Sequence, residues 1–176
     1  MSRYELQGDV KEALRIFYQM EESAGVKPNE VTFVSVLNVI TSLGTLDLGF
    51  SIHVTIIKYG YESNMYVASA LIDMYAKCGS MEDSEKIFLT TCKRDVATWN
   101  AMINLYVSYN QEVNAFHCFV TMQESGVRPN KITVIGMLRI CSTYDMLGLG
   151  EWLHSLLVDL DLDDVAVCNA LLTMYG

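Results

Sequence analysis

Proline is almost absent, with 2 residues in 176. Proline fixes φ and removes a backbone donor, so its scarcity argues against a loop-rich fold and for uninterrupted helices. Basic residues are scarce as well: 12 Lys and Arg stand against 21 Asp and Glu, a formal charge of −9. Taken alone, that balance disfavours a polyanionic partner, because attraction to phosphate draws on Lys and Arg. No uncharged run exceeds 16 residues, and residues 31–46, which reach that length, include Thr, Ser, Asn and Gly. A membrane-spanning helix takes about 20 mostly apolar residues, so no membrane partner is expected. The start, Met1-Ser2-Arg3-Tyr4-Glu5, carries neither an apolar segment nor an Arg- and Ser-rich stretch. Neither a secretory signal nor a transit peptide is therefore expected within the chain. The cysteines (Cys78, Cys92, Cys118, Cys141 and Cys168) are odd in number and never closer than 14 residues. With no Cys-x-x-Cys among them, free buried thiols in a reducing compartment are expected.

Catalytic constellations are missing too. His53, His117 and His154 are followed two residues later by Thr55, Phe119 and Leu156, so no His-x-Glu of a zinc deaminase occurs. There is no Gly-x-x-x-x-Gly-Lys phosphate loop and no Gly-x-Ser-x-Gly elbow. The reading is a protein without enzymatic chemistry, with no metal site, no cofactor and no small-molecule substrate.

What the chain does have is apolar content, 51% against 19% charged, which is too apolar for disorder. It also repeats itself. Gly25-Val26-Lys27-Pro28-Asn29 returns as Gly126-Val127-Arg128-Pro129-Asn130, and His53 returns as His154, both at an offset of 101. Ala70-Leu71-Ile72-Asp73-Met74-Tyr75 returns as Ala170-Leu171-Leu172-Thr173-Met174-Tyr175 at an offset of 100. The period divides into units at residues 30–64, 65–95, 96–130 and 131–164, with the end of another unit at 1–29 and the start of one at 165–176. Units of 31 to 35 residues with two apolar runs each predict a solenoid of helical hairpins.

Within a unit, Leu71, Met74, Tyr75 and Cys78 share one helical face. Gly79 suits a helix stop, and Ser80-Met81-Glu82-Asp83 reads as a capping box for the next helix, with Asp9-Val10-Lys11-Glu12 a similar start. Ala13 with Phe17, Ser84 with Phe88 and Ala115 with Phe119 put a small residue four before a ring, which lets helices approach while the ring fills the gap. Met20, Met74, Met102, Met122 and Met174 sit at equivalent places and are expected in the core. His53 and His154, equivalent to each other, are expected to act structurally between helices.

The run from Ala70 to Asp83 and the segment Thr98-Trp99-Asn100-Ala101-Met102-Ile103 resemble plant pentatricopeptide repeats. The alternating unit lengths resemble the PLS subclass, with residues 30–64 and 131–164 long-type, 65–95 short and 96–130 standard. Tetratricopeptide repeats share the period, but their Trp-x-x-Leu-Gly-x-x-Tyr pattern is missing. The resemblance implies an all-α right-handed superhelix that binds single-stranded RNA, one base per repeat. It implies work on an organellar transcript, in a mitochondrion or chloroplast, as a specificity factor in RNA processing or C-to-U editing alongside editing or processing proteins.

In that family the selectors are the fifth and last residues of a unit. Asn100 with Asn130 resembles pairs preferring a pyrimidine, and Ser69 with Asp95 pairs preferring guanine. Val34 with Asn64 and Ile135 with Asp164 set an apolar residue at the fifth place, where it neither donates nor accepts, and so should discriminate poorly. Asn29 closes a unit whose partner is absent, and Asn169 opens one that leans pyrimidine. The second residues Val31, Tyr66, Ala97, Ile132 and Ala166 are the implied wedges between bases. With the chain parallel to RNA, the footprint is 5′-N-G-Y-N-Y-3′. Lys77, eight after Ser69 on the same stripe, is placed to reach a phosphate; Arg139 is a weaker candidate, and Asp73 works against Lys77. Each selector also has a plain structural role open to it, Ser69 and Asn100 as helix starts, Asp95 and Asn130 in turns. A protein-binding scaffold or degenerate fragment with little RNA affinity is the alternative. Residues 140–176 favour it, holding Asp145, Glu151, Asp159, Asp161, Asp163 and Asp164 with no Lys or Arg.

Overall fold

The first helices of the repeats at residues 30, 65, 96 and 131 open on a side-chain cap. Asn29 accepts from the Thr32 amide at 3.0 Å, Asn64 from the Tyr66 and Val67 amides at 3.0 and 3.3 Å, and Asp95 from the Thr98 amide at 2.8 Å. A cap supplies an acceptor for amides that the helix itself leaves without one, which fixes where each helix begins. The computed structural model describes residues 3–22, 26–143, 147–159 and 165–176. Among them are ten α-helices and no strand, the all-α solenoid class expected from the repeats. The chain forms two compact units, Met1–Arg94 and Asp95–Gly176.

The first unit contains α1 (Arg3–Glu22), α2 (Glu30–Leu43), α3 (Leu46–Lys58), α4 (Met65–Lys77) and α5 (Met81–Thr90). α2 packs against α1, α3 and α4, and α4 against α3 and α5, so α2 and α4 lie side by side with α3 and α5 behind them. The core is Phe17, Phe33, Val36, Leu37, Ile40, Ile52, Ile56, Val67, Leu71, Met74 and Tyr75. Phe33 meets Phe17, Tyr59 and Tyr61 at ring separations of 6.0, 5.9 and 5.4 Å, so one side chain ties α2 to α1 and to the turn after α3. Each fully buried side chain of this size contributes about 1.5–3 kcal/mol. Ser84 is fully buried and its hydroxyl donates to the Ile72 carbonyl at 3.1 Å, the close helix approach expected of a small residue.

The second unit contains α6 (Val96–Ser108), α7 (Glu112–Glu124), α8 (Lys131–Thr143), α9 (Leu147–Asp159) and α10 (Val165–Tyr175). α8 lies between α6 and α10, with α7 behind α6 and α9 behind α8 and α10. Trp99, Met102, Ala115, Phe119, Met122, Val134, Met137, Leu138 and Leu153 are buried.

Four expectations change. Met20, expected in the core, is half-buried. α1 begins at Arg3 rather than at Asp9 and runs through Gly8, because one glycine costs a helix only about 1 kcal/mol. The Ser80–Asp83 capping box does not form: the Ser80 hydroxyl donates to Asp83 at 2.5 Å and makes no side-chain cap. No disulfide joins the cysteines, yet only Cys118 and Cys141 are buried, while Cys92 and Cys168 are exposed.

The two histidines occupy equivalent places. His53 Nδ1 lies 2.9 Å from the Tyr75 hydroxyl and His154 Nδ1 lies 3.2 Å from that of Tyr175. Four residues earlier on the same helices stand Gly49 and Gly150, where a Cβ would overlap the sulfur of Met74 and Met174 respectively. Burial pulls the His53 pKa below its ordinary value, against the opposing pull of Asp83 and Glu62. Burial likewise pushes the Tyr75 hydroxyl upward.

Candidate nucleic-acid interface

The second, fifth and ninth residues of each first helix lie three and four apart, hence on one helical stripe. In the first unit these are Val31, Val34 and Asn38 on α2, and Tyr66, Ser69 and Asp73 on α4. In the second they are Ala97, Asn100 and Asn104 on α6, Ile132, Ile135 and Arg139 on α8, and Ala166, Asn169 and Thr173 on α10. All five second-place residues are exposed, Val31 at 65%, Tyr66 at 60% and Ile132 at 50%, while the neighbouring Phe33, Val67, Thr98, Thr133 and Val167 are buried. An exposed apolar residue at the same place in every first helix is what a stacking contact with a base would use.

The fifth-place residues are less open. Val34, Ser69 and Ile135 are half-buried, Asn169 is exposed and Asn100 is buried at 6%. None caps a helix; each sits one turn inside. The unit-closing residues do cap. Asn29, Asn64 and Asp95 do so as described, and Asn130 Oδ1 accepts from the Ile132 and Thr133 amides at 3.0 and 3.2 Å.

Asn100 and Asn130 are brought into contact: Asn100 Nδ2 donates to Asn130 Oδ1 at 3.1 Å. The Thr133 hydroxyl joins them, donating to Asn100 Oδ1 at 2.6 Å and accepting from the Asn130 amide at 3.1 Å. Because Asn130 Oδ1 faces two backbone donors, it is certainly the oxygen, and the Asn100 atom beside it must be the nitrogen. Asn130 Nδ2 keeps both its protons without a partner among the described residues. Ser69 and Asp95 share the repeat unit 65–95 but fall in different compact units, and Asp95 directs its carboxylate to the Thr98 amide and hydroxyl at 2.8 and 2.7 Å. Val34 has no polar side-chain atom to offer Asn64. Asp164 lies outside the described residues, as do Asp145, Asp161 and Asp163 of the acidic segment.

Lys77 is exposed and donates to Asp73 at 2.8 Å, so the acid on its own stripe holds it. An exposed pair of this kind is worth about 0–1 kcal/mol, weak enough for Lys77 to turn to another anion. Arg139 is exposed on α8 beside Ile135. Among the described residues no cluster of His, Cys, Asp and Glu could hold a metal, and no helix is long and apolar enough to cross a membrane.

Sequence reasoning missed the threonines. Thr32, Thr98 and Thr133 all stand third in their helices and bond the preceding cap residue. The signal was there, Thr at the third place in three of the four whole units, but its meaning depends on the cap across one helical turn. It also missed Tyr75 and Tyr175 as partners of the two histidines.

Three family models match the chain: a pentatricopeptide repeat domain over residues 1–42, a PPR repeat over 66–95 and a PPR repeat family over 94–143. A chloroplastic pentatricopeptide repeat-containing protein of Arabidopsis thaliana is 36% identical over 173 residues, covering 98% of this chain and 21% of the relative. A mitochondrial one from the same plant is 34% identical over 164 residues, covering 93% of this chain and 18% of the relative. The chain thus spans about a fifth of the length of these relatives. Among solved structures, PPR10 in complex with an 18-nucleotide psaJ RNA element superposes with a TM-score of 0.74 at 21% identity, over 97% of this chain and 26% of that one. At that identity the likeness speaks for the fold. Repeats in register, stacked helical hairpins, matching repeat models and relatives of one kind agree: the chain belongs to the pentatricopeptide repeat family.

Proposed function

We propose that this chain is a sequence-specific single-strand RNA-binding segment that reads one base per repeat, with units at residues 1–29, 30–64, 65–95, 96–130, 131–164 and 165–176 in a PLS arrangement. The observation that carries the reading is the bonded Asn100–Asn130 pair, flanked by the exposed Ala97 and Ile132 of neighbouring helices in the same compact unit. An amide held in one orientation beside a stacking residue is the chemistry that reads the edge of an unpaired base. The register of the repeats adds Ser69 and Asp95 as guanine selectors, Val34, Asn64, Ile135 and Asp164 as weak positions, and Asn29 and Asn169 as half-pairs. The footprint is 5′-N-G-Y-N-Y-3′. The repeats themselves supply recognition, not catalysis. The role is that of a specificity factor in organellar RNA processing or C-to-U editing, and relatives named chloroplastic and mitochondrial support the organellar setting.

The test is binding of the chain to single-stranded RNAs varied at the second base, over a series of salt concentrations. Tighter binding of G, with affinity falling as salt rises, is expected. Equal affinity for G, A, C and U at that base overturns the assignment of Ser69 and Asp95. The acidic segment 140–176 favours a second reading, a protein-binding scaffold; absence of RNA binding even at low salt would support it.

A further inference from the structure

We propose that Thr133 is a positioning residue for base recognition: its hydroxyl sets which edge of the Asn100 amide faces the RNA, so that the site is a triad completed by the following helix. The inference rests on the RNA-reading role proposed for Asn100 and Asn130. Its basis is a closed ring of hydrogen bonds. The Asn130 amide donates to Thr133 Oγ1, the Thr133 hydroxyl donates to Asn100 Oδ1, and Asn100 Nδ2 donates to Asn130 Oδ1.

Proton bookkeeping makes the ring directional. A hydroxyl has one proton, and the 2.6 Å separation to Asn100 Oδ1 against 3.1 Å to Asn130 Oδ1 assigns it to Asn100. Thr133 is fully buried, so water does not compete for that proton. The Asn100 side chain is then held at both ends, oxygen by Thr133 and nitrogen by Asn130. One N–H and one lone pair remain on its amide, in a fixed order. Uracil and cytosine both present an O2 acceptor where adenine has a C–H and guanine an amino group, so an N–H held in one place discriminates where a rotating amide averages. The first unit gives the contrasting case. There the third residue of α4 is Val67, without a hydroxyl, and the fifth residue of α2 is Val34, without an amide to hold.

The test compares the unsubstituted chain with Thr133→Val and Thr133→Ser, using single-stranded RNAs that carry each base in turn at the third place of the footprint. The unsubstituted chain should prefer C or U there. Thr133→Val should shrink that preference about fivefold, the scale of one lost neutral hydrogen bond, and leave the second base read as before. Thr133→Ser restores the hydroxyl and should restore the preference. A folded Thr133→Val that keeps the full preference overturns the inference alone, and so does a Thr133→Ser that loses it equally. No RNA binding by the unsubstituted chain overturns the proposed function and this inference with it. A measurement independent of any variant is the NMR of the free chain. One of the two Asn100 Nδ2 protons, the one donated to Asn130, should be protected from exchange with water; equally rapid exchange of both would overturn the positioning role even if Thr133→Val does not fold.

Discussion

Asn130 serves the fold and the proposed site with different atoms of one amide. Its oxygen caps α8 and anchors Asn100, while its nitrogen keeps both protons without a partner among the described residues. The two roles separate by substitution. Asn130→Asp keeps a cap oxygen and is expected to change stability by less than about 0.5 kcal/mol, because Asp and Asn cap equally well. It replaces the outward N–H groups by a carboxylate oxygen and should change base preference at the third place. Asn130→Ala removes both and should cost about 1 kcal/mol in urea denaturation, with loss of the preference. Asp95→Ala should cost about as much, since the Asp95 carboxylate caps α6 through Thr98. At this scale the sequence was informative about identity and less so about role. Asn130 and Asp95 could be read both as selectors and as turn residues, and the structure shows the capping half of that choice. The part Thr133 plays was not legible, because the partner that gives it meaning is 33 residues away.

The helices themselves were more legible. Repeats at a fixed offset give element type and spacing without any contact being known, and the buried Leu71, Met74, Met102, Met122 and Phe119 follow from that periodicity. Phe33→Ala, which empties the meeting point of α1, α2 and the turn after α3, should cost about 3–5 kcal/mol by urea denaturation. Where single residues set a boundary the reading slipped. The good helix formers before Gly8 carry α1 back to Arg3, and Asp83 draws the Ser80 hydroxyl away from the helix terminus. The α3–α4 junction predicts a pH response. His53 has its pKa lowered in the folded state by burial, so the unfolded chain takes up the proton first. Its contribution to stability is intact above the ordinary value of 6.5 and declines as pH falls through that value toward the lower folded one. The melting temperature should therefore fall between pH 7.5 and 5.5, and His53→Leu should flatten that part of the profile. An unchanged slope in the variant would assign the response to Asp83, Glu62 or other groups.

For the molecule as a whole, the excess of acid is the feature any account of RNA binding must meet. Twelve basic residues against 21 acidic ones leave little general attraction to phosphate, so affinity must come from stacking and base-edge contacts at the stripe. Lys77→Gln is accordingly expected to change stability by less than about 0.5 kcal/mol, since its pair with Asp73 is exposed, while lowering RNA affinity and reducing the salt slope by about 1. An unchanged slope would place Lys77 away from the RNA. The central claim is that the Asn100 helix reads one base. The most direct measurement is the dissociation constant of this chain for four single-stranded RNAs identical except at the third base of 5′-NGYNY-3′. C or U should bind at least about fivefold more tightly than A or G, the effect of one to two hydrogen bonds. Four equal constants would contradict it.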